Sequence, residues 1–224
     1  MPGFVTGVDI FFKIALAAIA AYVSYQFGAF KQQNDDIKLV VDLAFAREDR
    51  TAVAGVTLAS HYFAQKRIPK EFYDSVMTSV GKDGNKTLVL AATSSANEIV
   101  QNNPEVAQQV VTASNALPAR VFFQISREVD RAKARAIEEM LEARAVSPSP
   151  QAVFVPGIEF VNTPMRQTEV RCFRKEECDT LGAGLVEFLK ENAVPAKLND
   201  MSDTYGKSKK ILPNTFEVWF SPLS

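Results

Sequence analysis

The sequence predicts an α+β chain in three parts: a membrane-spanning helix, a helical middle and an α/β carboxyl-terminal domain. Three observations carry this. An apolar run lies near the amino terminus, helical spacing persists from residue 34 to about 116, and a strand–helix pattern occurs twice after Pro118. The parts are expected at 1–33 (anchor, helix about 10–30), 34–116 (helical domain) and 117–224 (α/β domain). With 224 residues, 47% hydrophobic and 23% charged, the composition is that of a folded chain and excludes a disordered one. The net charge of -1 provides no basic excess, so a nucleic-acid partner is not expected. Two Cys and one His exclude a disulfide-rich scaffold and a multi-histidine metal site built within the chain.

Residues 10–30 read IFFKIALAAIAAYVSYQFGAF, with Lys13 as the only charge. At ~1.5 Å per residue this run crosses a ~30 Å hydrocarbon core. Phe11, Phe12, Tyr22, Tyr25, Phe27 and Phe30 stand toward its ends, where interfacial aromatics collect. A cleaved signal peptide and a buried soluble helix are the competing readings. Lys31, Lys38, Arg47 and Arg50 follow the run, and no Lys or Arg precedes it, so the positive-inside rule leans toward a cytoplasmic body. Lys13 and the export habit of amino-terminal anchors lean the other way.

The helical middle opens at Asn34, an N-cap followed by Asp35 and Asp36. Ile37, Val40, Val41 and Ala44 form its first apolar set. A second helix follows Thr51, with Val53, Val56, Leu58, Tyr62 and Phe63. Pro69 suits the first turn of a third, with Phe72, Tyr73, Val76 and Met77. Gly81–Gly84 reads as a turn, a fourth helix spans about Lys86 to Gln101, and Pro104 opens a fifth.

From Ala119 to Ile125 the chain is a β-branched and aromatic strand. Ser126 is an N-cap for a helix reaching about Arg144, with Val129, Ala132, Ala136, Ile137, Met140 and Leu141 as its apolar set. Residues 152–161 form a second extended segment, kinked at Pro156-Gly157. The pattern recurs 49 residues on: Val121 matches Val170, Ala134 matches Ala183, Ile137 matches Val186 and Met140 matches Leu189. A strand at Val170–Phe173, a helix from about Glu176 to Asn192 and a segment at Val194–Leu198 make the second copy. Residues 162–167 are a short link that suits an antiparallel hairpin between the copies. The expected arrangement is therefore ferredoxin-like split-βαβ, closed by a strand at Asn214–Phe220.

The segment TEVRCFRKEECDTLGAGLVEFLKENAV, closed by PNTFEVWF, resembles the small βαβ modules of SPOR and LytR carboxyl-terminal domains of membrane-anchored bacterial proteins. SPOR domains bind peptidoglycan glycan strands, so the resemblance implies an envelope glycan ligand if the body is exported. The short helices of the middle are similar to HEAT-type pairs, which implies a protein-binding scaffold. A plain helical bundle fits the same pattern.

Chemistry-bearing residues are sparse. Cys172 and Cys178 match Phe123 and Val129 in the repeat, which fits apolar packing. In an exported body they can instead form a disulfide. The spacing is not the CxxC of redox and zinc sites. His61 has no convergent nucleophile and acid, and reads as structural. Val80–Thr87 lacks the phosphate-loop spacing and reads as a helix-capping turn. The helix 127–144 mixes both charges, with Arg135 and Glu139 as an i,i+4 pair. Lys207, Lys209 and Lys210 form a basic loop suited to an anionic contact.

No catalytic set, cofactor motif or metal cluster is expected. The sequence thus reads as a single-pass, non-catalytic adaptor whose partners are the bilayer and other proteins. The alternative is a glycan-binding envelope protein.

Overall fold

The computed structural model describes residues 28, 30–144 and 153–223. It is a mixed α+β structure. The expected membrane span at 10–30 lies outside these residues except for Gly28 and Phe30; among the described residues no helix is long and apolar enough to cross a membrane.

Among the described residues five helices build the first half: α1 (30–44), α2 (Asp49–Ala64), α3 (Lys70–Asp83), α4 (Lys86–Asn102) and α5 (Pro104–Ala113). Asn34, expected as a cap, lies inside α1, because Phe30–Gln33 contain no Gly or Pro to stop helix from extending backward. Gly55 lets α1 and α2 touch, since a Cβ there would stand 2.1 Å from the Ala44 backbone nitrogen. The link from α2 to α3 is tied to α1 by Arg67, which donates to both Asp36 oxygens at 2.8 and 2.5 Å and lies 3.9 Å above the Tyr62 ring. The expected turn at Gly81–Gly84 is shorter than the sequence suggested: Gly81 is still helical, and Gly84 caps α3 at φ 68°. Asn85 then caps α4 by accepting from the Thr87 and Leu88 amides at 2.9 and 3.4 Å. Val56, Ala59, Tyr73, Met77, Val89, Ala92, Ala96 and Val110 are buried between these helices.

The second half is a mixed sheet of β1 (Ala119–Ile125), β2 (Val153–Phe154), β3 (Ile158–Phe160), β4 (Thr168–Cys172), β5 (Ala196–Asp200) and β6 (Thr215–Trp219). Its order is β2-β1-β6-β4-β5, with β3 continuing β2 along the same edge of β1 beyond the Pro156-Gly157 kink. Only the β4–β6 pair is antiparallel.

This corrects the split-βαβ expectation. In each unit the two parallel strands are direct neighbours: β1 with β2 and β3 across α6 (Arg131–Ala143), and β4 with β5 across α7 (Lys175–Glu177) and α8 (Ala183–Glu191). The hairpin between the units does not form. Residues Val161–Gln167 at ~3.3 Å each reach ~23 Å, more than the ~14 Å needed to step over two strands. The terminal strand β6 fills the gap between the units. The first strands keep the 49-residue offset, Ala119 and Thr168 each opening the parallel pairing, whereas their partners Val153 and Ala196 lie 43 residues apart because the second crossover is shorter.

Both units put their helices on one face. Val121, Phe123, Ile125, Val170, Phe216 and Val218 point there and pack against Ile137, Leu141, Leu185 and Leu189. The helix after β1 starts later than Ser126 implied. Residues Glu128–Asp130 are a 3-10 turn, which rotates Val129 out to 79% exposure; Met140 is also exposed. Arg127 and Arg131 pair with Asp130 and Glu128, while Arg135 and Glu139 form no ion pair among the described residues. In the second unit, α7 and α8 are joined by a π-helical turn at Cys178–Gly182.

Candidate functional site: a polar and aromatic cleft

Residues alternate across a strand, so the face away from α6 and α8 holds the other half of each strand. Three rows result. Phe154, Arg120 and Thr215 lie side by side at one end; Phe122, Glu217, Arg171 and Asn199 form the middle row; Glu159, Gln124, Trp219, Glu169 and Lys197 form the last. The helical domain sits on the first row, where Phe154 and Leu212 join its apolar core. Under the 49-residue repeat, Phe122 and Arg171 are equivalent, and they flank Glu217 on the central strand.

Between the helical domain and this face lies a cleft of about 480 Å³. That is the size range of small-ligand sites. Its floor is Phe122, Thr215, Glu217, Arg171 and Trp219. One wall is Thr93, Asn97 and Gln101 of α4, spaced four apart and so aligned on one helix face. Leu88, Ala92, Ala96 and Ile99 occupy the core side of α4, which leaves this polar stripe toward the sheet. The other wall is the segment after β5, with Met201, Tyr205 and Lys210. It is held by the Met201 amide donating to the Cys172 carbonyl at 2.9 Å, by Arg174 donating to the Ile211 carbonyl at 3.2 Å and by Phe173 against the Tyr205 ring at 5.9 Å.

The floor is preorganised. The Arg171 guanidinium lies 4.0 Å above the Trp219 ring, and the indole N–H donates to Glu217 at 2.7 Å. Arg171 and Glu217 are register partners, yet each turns to another group: Arg171 to Glu169 at 3.3 Å, Glu217 to Trp219. Burial works against the Glu169 carboxylate, but hydrogen bonds from Lys197 and Asn199, with Lys197 and Arg171 adding to them, hold its pKa below the ordinary value.

Cys172 and Cys178 are joined by a disulfide, with their Cα atoms 5.3 Å apart, and both are fully buried. It ties the end of β4 to the start of the π turn, directly behind the cleft floor. The equivalence of Cys178 with Val129 fails, since Val129 is exposed. Asp200 lies beside the two sulfurs and completes a candidate metal cluster. Bonded to each other, the sulfurs supply no thiolate, and the cluster offers a metal one carboxylate.

Of the basic loop, Lys210 lines the cleft and Lys207 and Lys209 are exposed beside it in the chain; none of the three is in an ion pair among the described residues. His61 lines a separate groove between α2 and α4, of about 540 Å³, with its ring nitrogen 2.8 Å from the Gln65 amide. Ser60 shares that groove, but no hydrogen bond joins it to His61.

Sequence reading missed Phe122, Arg171, Glu217 and Trp219, together with the α4 stripe. The available signal was the alternation in Arg120-Phe122-Gln124, Glu169-Arg171 and Glu217-Trp219, which leaves a polar and aromatic face opposite the apolar one. No protein-family model matches the chain, and no curated protein or solved structure shows significant similarity to it.

Proposed function

We propose that this chain is a membrane-tethered, non-catalytic binding protein whose sheet cleft takes a saccharide. The observation that carries the reading is the pairing of walls. Aromatic surface from Phe122, Trp219 and Tyr205 is interleaved with hydrogen-bonding groups from Asn97, Gln101, Glu217 and Arg171. A sugar ring has apolar C–H faces and a rim of hydroxyls, and needs both kinds of contact. The amides of this stripe are within reach of a ligand, since Gln101 is exposed and Asn97 half-buried.

The disulfide supports an exported body, since such bonds persist in oxidising compartments. That argues against the cytoplasmic lean of the charge count around residues 10–30. The SPOR-like resemblance points to the same class of ligand. The protein-binding reading of the helical middle stands second, favoured by the groove between α2 and α4.

Trp219 is the only tryptophan, so its emission reports on the cleft alone. Titration with oligosaccharides from bacterial cell wall is expected to shift that emission saturably. Trp219→Phe and Asn97→Ala are expected to weaken binding, measured by calorimetry, by at least about tenfold, as loss of one aromatic or hydrogen-bonding contact implies. Absence of any heat or emission change with wall saccharides would reject the reading.

A further inference from the structure

From the distribution of committed and uncommitted charges around the cleft, we infer that its ligand is an anionic saccharide, whose acidic group is seated between Arg171 and Lys210. The inference rests on the saccharide reading and adds the sign of the ligand's charge.

Of the carboxylates at this face, only Glu169 is paired with cations, Lys197 and Arg171, while Glu217 and Glu159 accept from the neutral Trp219 indole and Gln124 amide. Glu217 accepts from the Trp219 indole at 2.7 Å. Glu169 is held by Lys197 at 3.0 Å, Asn199 at 3.1 Å and Arg171 at 3.3 Å. The cations Arg171 and Lys210 are less fully engaged than Glu169. Arg171 uses Nε and one terminal nitrogen on a single Glu169 oxygen, at 3.3 and 3.4 Å, rather than forking onto both. A guanidinium carries five N–H donors, so donors remain for a ligand, and stacking on Trp219 fixes its plane. Lys210 lines the opposite wall with no ion pair among the described residues, and exposed Lys207 and Lys209 stand beside it in the loop. The cleft therefore presents a planar, oriented cation on the floor and a point charge, Lys210, on the wall. A carboxylated or phosphorylated sugar fits both, its ring on the aromatics and its acid on Arg171 and Lys210.

The test uses Trp219 emission and calorimetry on the full chain, solubilised in detergent. The probes are tetragalacturonate, neutral chitotetraose and inorganic phosphate alone. Tetragalacturonate is expected to bind at least about tenfold more tightly than chitotetraose, with affinity falling as salt rises. Lys210→Ala is expected to remove most of that preference, with the Lys207→Ala/Lys209→Ala pair reducing it further. All three lysines are exposed, so these variants keep the fold. Equal, salt-insensitive binding of the two oligosaccharides would overturn the anionic inference and leave the saccharide reading standing. Inorganic phosphate displacing tetragalacturonate completely at equal concentration would show a bare anion seat and overturn the saccharide part. Acidic preference unchanged in both lysine variants would place the seat elsewhere and overturn the assignment. No response to any oligosaccharide would remove both readings together.

Discussion

Arg120 is the sharpest test of how the two halves are joined. Its side chain is fully buried, and it donates to the Pro118 carbonyl at 3.0 Å, to the Thr215 hydroxyl at 3.2 Å and to the Pro213 carbonyl. Burial pulls its pKa down to about 10, partly opposed by the charge of Glu177, so it stays a cation at neutral pH. It thus bridges the start of β1 and the entry to β6, where the helical core meets the sheet. Arg120→Ala leaves those acceptors without donors, opens a cavity and removes one of the two cations, with Arg174, that act on half-buried Glu177. Breaking a buried, hydrogen-bonded charge of this kind costs about 3–5 kcal/mol, a large share of a typical ~5–15 kcal/mol of total stability. With a urea slope of ~2 kcal/mol per molar, the unfolding midpoint is expected to fall by about 2 M. Arg120→Met keeps much of the volume and has no charge to desolvate. Its expected loss is smaller, about 1–3 kcal/mol for the unpaired acceptors. Both melts are to be followed by circular dichroism and by Trp219 emission. An alanine variant that unfolds within about 1 kcal/mol of the parent would refute the bridging role, since that is the scale of an ordinary surface change.

Three further outcomes are expected. Cys172 and Cys178 close a short loop, six apart in sequence, so full reduction is expected to lower stability by about 2 kcal/mol in denaturant melts with and without dithiothreitol; unchanged melts would show that the bond does not stabilise the fold. Gly81→Ala is expected to destabilise despite alanine's ~1 kcal/mol better helix propensity, because its Cβ would stand 2.0 Å from the Ala116 carbonyl oxygen, and a thermal melt at or above the parent's would contradict that close approach. Asp200 is held at a pKa of about 2 by hydrogen bonds from the Ser202 side chain and amide, then by Lys175. Its folded pKa lies below its unfolded value of ~3.8, so its stabilisation is complete above about pH 4 and is lost as pH falls toward about 2. Asp200→Asn is expected to flatten the stability–pH curve in that window, and an unchanged slope would rule Asp200 out as its source.

How far the sequence could be read depended on whether a feature was local. Strand β1 falls at Ala119–Ile125 as its β-branched and aromatic run predicts, α4 begins at Lys86 as expected, and α5 begins where Pro104 places it. The Pro156-Gly157 kink divides β2 from β3, because it interrupts pairing at a point visible in the residues themselves. Ser126 misled because it caps no helix: the 3-10 turn follows Arg127 and the α-helix begins only at Arg131, which leaves Val129 in solvent. The cysteines were open because apolar packing and bonding make the same demand on sequence; only the 5.3 Å approach of their Cα atoms separates the two.

Sequence by itself determined the helical stretch, the strands after Pro118 and the strand–helix order that occurs twice among them. These follow from the spacing of side chains along one element, which covers a few residues. Tertiary structure alone decided the strand order, with β6 inserted between the units, and the cleft that this order creates. Strand order depends on which edges meet over tens of residues, and the length of the 162–167 link permitted both a hairpin and a crossing. The cleft exists because residues more than a hundred positions apart, Asn97 and Trp219 among them, face one space, and no local pattern encodes that meeting.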